Sequence, residues 1–217
     1  MGIGYNPKIV TDGLVLCLDA ANSKSYPGSG TTWTDLSGNG NNGTLVNGPT
    51  YNSSNGGNFN FDETNDYVNC GQVLNNSAYT KIAWFRPETS TNNIISGSSD
   101  GQHAFWMSGT NNTLRSGHNN SWQIVEYSPG NMLNQWWCGA VTFNTSTGWV
   151  LYLNGQQVDT DSSTTTPTGS GLVLIGAYSL GANLFDGDIP VVQIYNRALT
   201  AEEIQQNFQA TRGRYGI

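Results

Sequence analysis

The stretch GLVLIGAYSLGANLFDGDIPVVQIYNRALTAEEIQQNF, residues 171–208, constrains the fold more than any other part of the chain. Its apolar run 172–175 reads as a buried strand. A bend rich in Gly, Ala and Ser follows. Phe185-Asp186-Gly187-Asp188-Ile189 opens a second strand that passes through Pro190 and ends near Tyr195. A short helix closes the segment. Thr200 is its N-cap and Glu203 stands three residues on, which makes a capping box. Leu199 and Ile204 supply a hydrophobic staple, and Ile204 and Phe208 share one helix face. Strand, bend, strand and capped helix describe the end of one large β-domain.

The rest of the chain repeats the β pattern. Residues 14–18 form a continuous apolar strand, buried on both faces. Residues 22–54 are nearly all turn chemistry, with Asn-Gly at 39–40, 42–43 and 47–48, and read as a long loop pinned by Trp33, Leu36 and Leu45. Strands follow around Phe59 and Phe61, at Tyr67-Val68, over 79–85, at Ile94-Ile95, and over 103–107, 114–116, 122–127, 136–143 and 149–153. Asn154-Gly155 is a two-residue hairpin turn into 156–158. Short strands at regular spacing predict an all-β, two-sheet antiparallel sandwich with a short C-terminal helix. The organisation expected is an N-terminal arm (1–12), a single domain (13–208) and a C-terminal tail (209–217).

Composition excludes several classes. Only 11% of the 217 residues are charged, yet seven Trp, ten Tyr and seven Phe demand burial, so the chain is not disordered. Eight Lys and Arg against a net charge of −7 leave no basic face for nucleic acid. Residues 1–7 lack the basic and apolar regions of a signal peptide, and no apolar run approaches the ~20 residues of a membrane helix. Synthesis in a cytosol without membrane insertion is therefore expected. Cys17, Cys70 and Cys138 are odd in number and at no metal-ligand spacing, which reads as three buried free thiols.

Five motifs in this order resemble the laminin G-like, concanavalin A-like jelly roll. They are Gly13-Leu14-Val15-Leu16-Cys17-Leu18-Asp19, Trp33-Thr34-Asp35-Leu36-Ser37-Gly38-Asn39-Gly40, Phe61-Asp62-Glu63-Thr64-Asn65-Asp66-Tyr67-Val68, Leu151-Tyr152-Leu153-Asn154-Gly155, and the segment from Phe185 through Leu199. The Asn/Gly-rich start around Val10 to Trp33 and the ending Gln205 to Ile217 are similar to laminin G-like proteins of marine and cyanobacterial tailed phages. That resemblance implies a non-enzymatic virion protein, a decoration, fibre or tail-associated component assembled in the host cytoplasm and displayed on the virion surface. Its partners would be other virion proteins and host surface glycans. A free lectin or adhesin, and a polysaccharide hydrolase or lyase, are the alternatives.

The fold carries many functions, so the site residues decide. Catalysis is not expected. The Glu-x-Asp-x-x-Glu strand of the glucanase branch is missing, Glu126 reads as a lone surface carboxylate, and His103 and His118 read as ordinary polar residues. For glycan binding, Trp122, His118, Asn119, Asn120 and Tyr178 combine aromatic platforms with short polar side chains, with Trp106, Asn111 and Asn112 nearby. Trp84, Trp106, Trp136 and Trp149 read as strand aromatics buried between the sheets. A structural calcium would take hard oxygen ligands from Asp35, Asn39, Asp186 and Asp188. The closing segment also resembles pentraxins, which implies calcium ligands in the bend 177–180. No carboxylate stands there, and the second pentraxin-like loop, 98–102, keeps only Asp100. Arg212, Arg214 and Tyr215 lie beyond the expected sandwich and are candidates for docking to neighbouring subunits.

Overall fold

The computed structural model describes residues 7–89, 92–96, 103–109, 112–169, 171–179 and 182–217. Loop 98–102, Asn111, Leu180 and the start of the N-terminal arm, all used above, lie outside the described residues.

In chain order the strands are β1 (Leu14–Asp19), β2 (Thr32–Trp33), β3 (Gly43–Val46), β4 (Thr50–Asn52), β5 (Asn58–Asp62), β6 (Tyr67–Gln72), β7 (Tyr79–Pro87), β8 (Asn92–Asn93) and β9 (Ile95–Ser96). They continue with β10 (Ala104–Ser108), β11 (Thr113–His118), β12 (Ser121–Tyr127), β13 (Trp137–Asn144), β14 (Gly148–Leu153), β15 (Gln156–Asp161), β16 (Leu172–Ile175) and β17 (Asp186–Tyr195). Helix α1 (Ala201–Thr211) follows. The largest sheet runs β15-β14-β13-β7-β17-β5-β4, with β1 also on β17. Two smaller sheets, β2-β3-β6-β16-β9 and β12-β11-β10-β8, meet where β9 lies against β10 and together face the large one. One core fills the gap, drawing Phe59, Phe85 and Val141 from the large sheet and Val68, Phe105 and Leu114 from the smaller two. The architecture is the antiparallel sandwich with a C-terminal helix that the strand spacing predicts.

Proline inside a central strand normally removes a ladder hydrogen bond. The structure shows why Pro190 is tolerated in β17. One edge of β17 pairs with β5 over Asp186 to Ile189 and then with β1 over Val191 to Tyr195. The other edge, on β7, shifts register between Asp188 and Val191. Pro190 sits at this changeover, and its carbonyl still accepts a 2.9 Å bond from the N–H of Ala20.

The long loop expected over 22–54 contains three short strands, β2, β3 and β4. Runs of two to four residues are too short for a period-2 pattern to reveal. They form because β6 and β5 offer paired edges. Trp33 and Leu45 are buried pins, as expected. Asp35 locks the following turns. Its carboxylate accepts bonds from the N–H groups of Cys17, Ser37 and Asn41 and from the Ser37 hydroxyl, at 2.7–3.1 Å.

The outer face of the large sheet is apolar too and needs its own cover. Trp84, Ala140, Tyr152 and Val191 project outwards there and meet Ile204 and Phe208 of α1, together with Val10 and Tyr215. The capping box is present, with Thr200 Oγ1 accepting from the Glu203 N–H and Glu203 accepting from the Thr200 N–H. Leu199 and Ile204 are buried together in this second cluster. Residues 212–215 form no free tail. Tyr215 stacks on Trp84 at 4.1 Å between centroids, and Arg214 donates to Asp19 at 2.8 Å. The N-terminal segment is held in the same way. Asn207 accepts from the Val10 N–H at 2.7 Å, and Tyr195 donates to the Val10 carbonyl at 2.9 Å.

The main core contains three titratable bases. Lys81 points inwards from β7, is fully buried, and donates to the carbonyls of Ile95 and His103. Burial holds its pKa well below the usual lysine range. His118 lies against Trp149 and Phe143. Its Nε2 lies 2.6 Å from the Thr165 carbonyl, an acceptor, so Nε2 carries the proton and Nδ1 is left to face the Tyr79 hydroxyl at 3.4 Å. Burial lowers the pKa of His118 to about 4. Burial, then the Lys81 charge, lowers that of His103 to about 2. Both imidazoles are therefore neutral in the folded protein where an unfolded histidine, near 6.5, begins to charge. Their contribution is complete above pH 6.5 and is lost as pH falls, towards pH 4 for His118 and further for His103. Asp66, raised to about 6 chiefly by burial, acts in the opposite sense. The expected result is that NMR of the two imidazoles shows no titration between pH 8 and 5, with His118 as the Nε2–H tautomer. The stability advantage of the native chain over His118→Gln should shrink as pH falls from 6.5 to 4. An imidazole titrating near 6.5 would contradict this burial.

Candidate functional site

With the apolar part of the outer face of the large sheet covered by α1 and the segments around Val10 and Tyr215, the outer face of the smaller sheets offers room for a ligand. Strand alternation sets what it displays. Phe105 and Met107 of β10 enter the core, so Trp106 between them faces outwards. Cross-strand pairing extends this into a row, Asn93 on β8, Trp106 on β10, Arg115 on β11 and Glu126 on β12. Arg115 lies over Trp106, with its guanidinium carbon 5.5 Å from the ring centroid, and pairs with Glu126 at 2.9 Å.

Trp122 completes the aromatic part. The β11–β12 hairpin turns through Asn119 and Asn120, both at positive φ (54° and 63°), the conformation a tight two-residue turn needs. That turn places Trp122 beside Trp106, whose indole N–H donates to the Trp122 carbonyl at 2.9 Å. Tyr178, from the bend after β16, meets Trp122 edge-on at 4.7 Å between centroids. The two indoles form a ridge between two hollows. The larger, about 750 Å³, runs along Asn120, Ser121, Gln123 and Ile124 to Asp161 and Ser163. The smaller, about 230 Å³, is closed by Tyr178, Asn93 and Asn183. Amides, hydroxyls and half-buried rings dominate both. Asp161 is the one formal charge among the described lining residues, and its carboxylate accepts from the Ser163 N–H at 2.8 Å. Such a surface stacks a flat apolar face and hydrogen-bonds many hydroxyls, with little attraction for anions.

The structure divides the candidate residues named from the sequence. Trp122, Tyr178 and Asn120 line the hollows. His118 does not, because its ring is buried beneath the hairpin. Asn119 stands behind the site and clamps the polar segment after β15. It donates to the Thr166 carbonyl at 2.8 Å and accepts from the Thr168 N–H at 2.8 Å and hydroxyl at 3.1 Å. Trp106, Asn93, Asn183, Gln123, Asp161 and Ser163 belong to the site without having been legible as a group. Trp106 is outward and half-buried rather than between the sheets. Trp136 is half-buried against Tyr215, and Trp84 lies under α1. Trp149 alone of these four fills the inter-sheet core.

The cation candidates do not gather into one site. Both Asp35 oxygens hold loop donors, as described above. The Asn39 amide donates to the Leu14 carbonyl and the Ser37 hydroxyl. Asp188 accepts from Arg86 at 2.9 Å and from Asn60 at 3.3 Å. The Asp186 carboxyl is pushed up by burial and then by Glu88, Glu63 and Asp62, so these carboxylates share one corner of the molecule. Among the described residues, no three His, Cys, Asp or Glu side chains are placed to hold a metal ion. Arg214 and Tyr215 pack onto the domain itself, and Arg212 lies 5.9 Å from the Phe208 ring centroid.

Residues 62–205 match the laminin G-type family of the concanavalin A-like lectin/glucanases superfamily. The match covers well over half of the chain, and the chain belongs to this family. A comparison with curated proteins finds no match. Among solved structures, the chain is similar to domain 4 of AbnA, a GH43 extracellular arabinanase from Geobacillus stearothermophilus, in complex with arabinotriose. Identity is 19%, coverage 89% of this chain and 97% of that one, and the TM-score 0.67. It is also similar to the binding domain of botulinum neurotoxin DC in complex with SialylT (17%, 93% and 52%, 0.68). A third is a Trypanosoma rangeli sialidase mutant displaying trans-sialidase activity (16%, 96% and 34%, 0.69). The chain thus spans about half the length of the toxin domain and about a third of the sialidase. The fold is that of the concanavalin A-like lectins and glucanases.

The clamp predicts a specific defect. Asn119→Ala removes three hydrogen bonds, each worth about 0.5–1.5 kcal/mol net, so amide hydrogen exchange over 162–169 should accelerate about tenfold or more. The global unfolding transition should remain. Unchanged exchange in that segment would show that the clamp carries no load.

Proposed function

We propose that the chain is a non-enzymatic carbohydrate-binding module that holds a saccharide against the ridge formed by Trp106 and Trp122. The observation that carries this reading is the pair of half-buried indoles walling two polar hollows on the layer opposite α1. Membership of a lectin-like family supports it, as does the arabinotriose held by the similar arabinanase domain. Binding is favoured over catalysis because glycoside cleavage needs two carboxyl groups flanking one bond. The described groove residues supply Asp161, already bonded to the Ser163 N–H.

The second reading adds the context of a virion surface. Its sequence support is the likeness of the start and end of the chain to phage laminin G-like proteins. Its structural support is the position of two residues near those ends. Val10 and Tyr215 share one cluster on the outer face of the large sheet, whereas the ridge is on the opposite layer. A domain attached to a capsid or tail through either end would present the ridge to host surface glycans.

A glycan array should show saturable binding by the native chain. Trp122→Ala should lower affinity for the best ligand by about tenfold or more, ~1.4 kcal/mol, with the fold retained. Full affinity in that variant would overturn the site. For the second reading, the protein should occur in stoichiometric amount in purified phage particles. Its absence there would remove the virion role and leave the saccharide site standing.

A further inference from the structure

The cover over the outer face of the large sheet is incomplete. Beyond Trp136 the apolar cluster ends, and the outward positions of four neighbouring strands turn polar. Asn60 on β5 pairs across the sheet with Asp188 on β17, which pairs with Arg86 on β7. On the adjoining row, Asn52 of β4 faces Asn58 of β5, and their amides exchange two hydrogen bonds at 2.7 and 2.9 Å. The inward neighbours Phe59, Phe61 and Ile189 are fully buried core. The switch from apolar to polar is therefore confined to the outer surface.

These side chains line a hollow of about 380 Å³, within the roughly 300–1,000 Å³ typical of small-molecule sites. Trp136 closes one side, braced by Tyr215 at 4.8 Å between centroids, and Ser54 and Asn55 border it too. At the floor, Asp188 and Asn58 are only 4% and 1% exposed. The arrangement is rigid before any ligand arrives. Arg86 is gripped by Asp188 at 2.9 Å and by Glu88 at 2.8 Å, and Asp188 is gripped in turn by Asn60. Two carboxylates and one guanidinium leave this trio with a net negative charge, which disfavours anions. Apolar residues here would have extended the cover beneath the C-terminal segment, and a part-buried ion pair is weak support for stability.

We infer that this Asn-lined hollow between β4, β5, β17 and β7 is a second binding site, for one unit of a neutral saccharide. Hydroxyl groups of the sugar donate to the Asp188 and Asn oxygens and accept from the Asn amides and Arg86, while the ring rests on Trp136. The site is on the layer opposite the Trp106–Trp122 ridge and goes beyond the function proposed above. It would make the domain bivalent, with the two sites facing opposite ways, so that it bridges two glycan chains rather than gripping one twice.

The test reads each site separately. Nitrogen-15-labelled Trp122→Ala protein is titrated with neutral aldopentoses, aldohexoses and their disaccharides, with glucuronic acid and sialyllactose as anionic controls. At least one neutral sugar should shift the side-chain amide signals of Asn52, Asn58 and Asn60 and the Trp136 indole signal, saturably, while the anionic controls leave them in place. Asn60→Leu should weaken that response about tenfold or more, with the rest of the spectrum unchanged. If it fails to fold, the mapping on the Trp122→Ala chain still decides. The inference is overturned if no neutral sugar moves these signals in the tens of millimolar, or if the anionic controls move them equally well. The Trp106 and Trp122 indole signals of the native chain report on the ridge independently, so failure of one site leaves the other measurable.

Discussion

A sheet with two apolar faces must be covered twice, and that requirement organises this molecule. The large sheet buries one face against the smaller sheets through Phe59, Phe85 and Val141. Its other face presents Trp84, Tyr152 and Val191, away from the smaller sheets. Helix α1, residue 10 and residue 215 cover them. At roughly 25 cal/mol per Å² of apolar surface removed from water, large aromatic side chains such as Trp84 give such a contact several kcal/mol of driving force. The segments around Val10 and Tyr215 are thus structural parts of the domain. Because these segments occupy the apolar part of one outer face, the Trp106–Trp122 ridge and its hollows fall on the opposite one.

The polar interior follows a related rule. Buried polar groups persist when they are hydrogen-bonded, and charges persist when they are neutralised or paired. Lys81 and His118 meet carbonyl acceptors, while Asp188 meets a guanidinium. His103, neither of whose ring nitrogens has a partner among the described residues, is an exception, as are the indole nitrogens of Trp33 and Trp149. The same backbone economy explains the loops. Asp35 satisfies three N–H groups of a turn-rich segment, and Asn119 satisfies both polar types in segment 162–169. Both residue types are common at functional sites, yet here their geometry serves chain pinning.

The separation between core and surface along single strands creates the candidate sites. Trp106 and Asn60 are each flanked by two core residues, Phe105 and Met107 for one, Phe59 and Phe61 for the other. Packing of the flanking pairs fixes the backbone, and the bonds of Trp106 to the Trp122 carbonyl and of Asn60 to Asp188 then hold the outward side chains. Cross-strand register then assembles groups far apart in sequence, such as Asn60, Arg86 and Asp188. Sites of this type sit on rigid elements, which limits the entropy lost when a ligand binds.

The sequence by itself determined the class of fold, because strand periodicity, turn residues and the capping box are local signals that the structure reproduces at Leu172–Ile175, at Asn154-Gly155 and at Thr200 with Glu203. It also marked Trp122, Tyr178 and Asn120, since an aromatic beside an Asn-rich turn is visible in a short window. Pairing partners are not local. Strands of two to four residues within 22–54 exist only because β5 and β6 offer edges. The same limit left Trp106 readable both as a glycan-site aromatic and as core, and only alternation and register place it outside. His118 failed in the opposite sense. A polar residue before a turn reads as exposed, and only the packing of Phe143 and Trp149 around its ring buries it. Which surfaces are covered, and so which can bind, was decided by where α1 and the segments around Val10 and Tyr215 dock, a long-range fact that tertiary structure alone supplies.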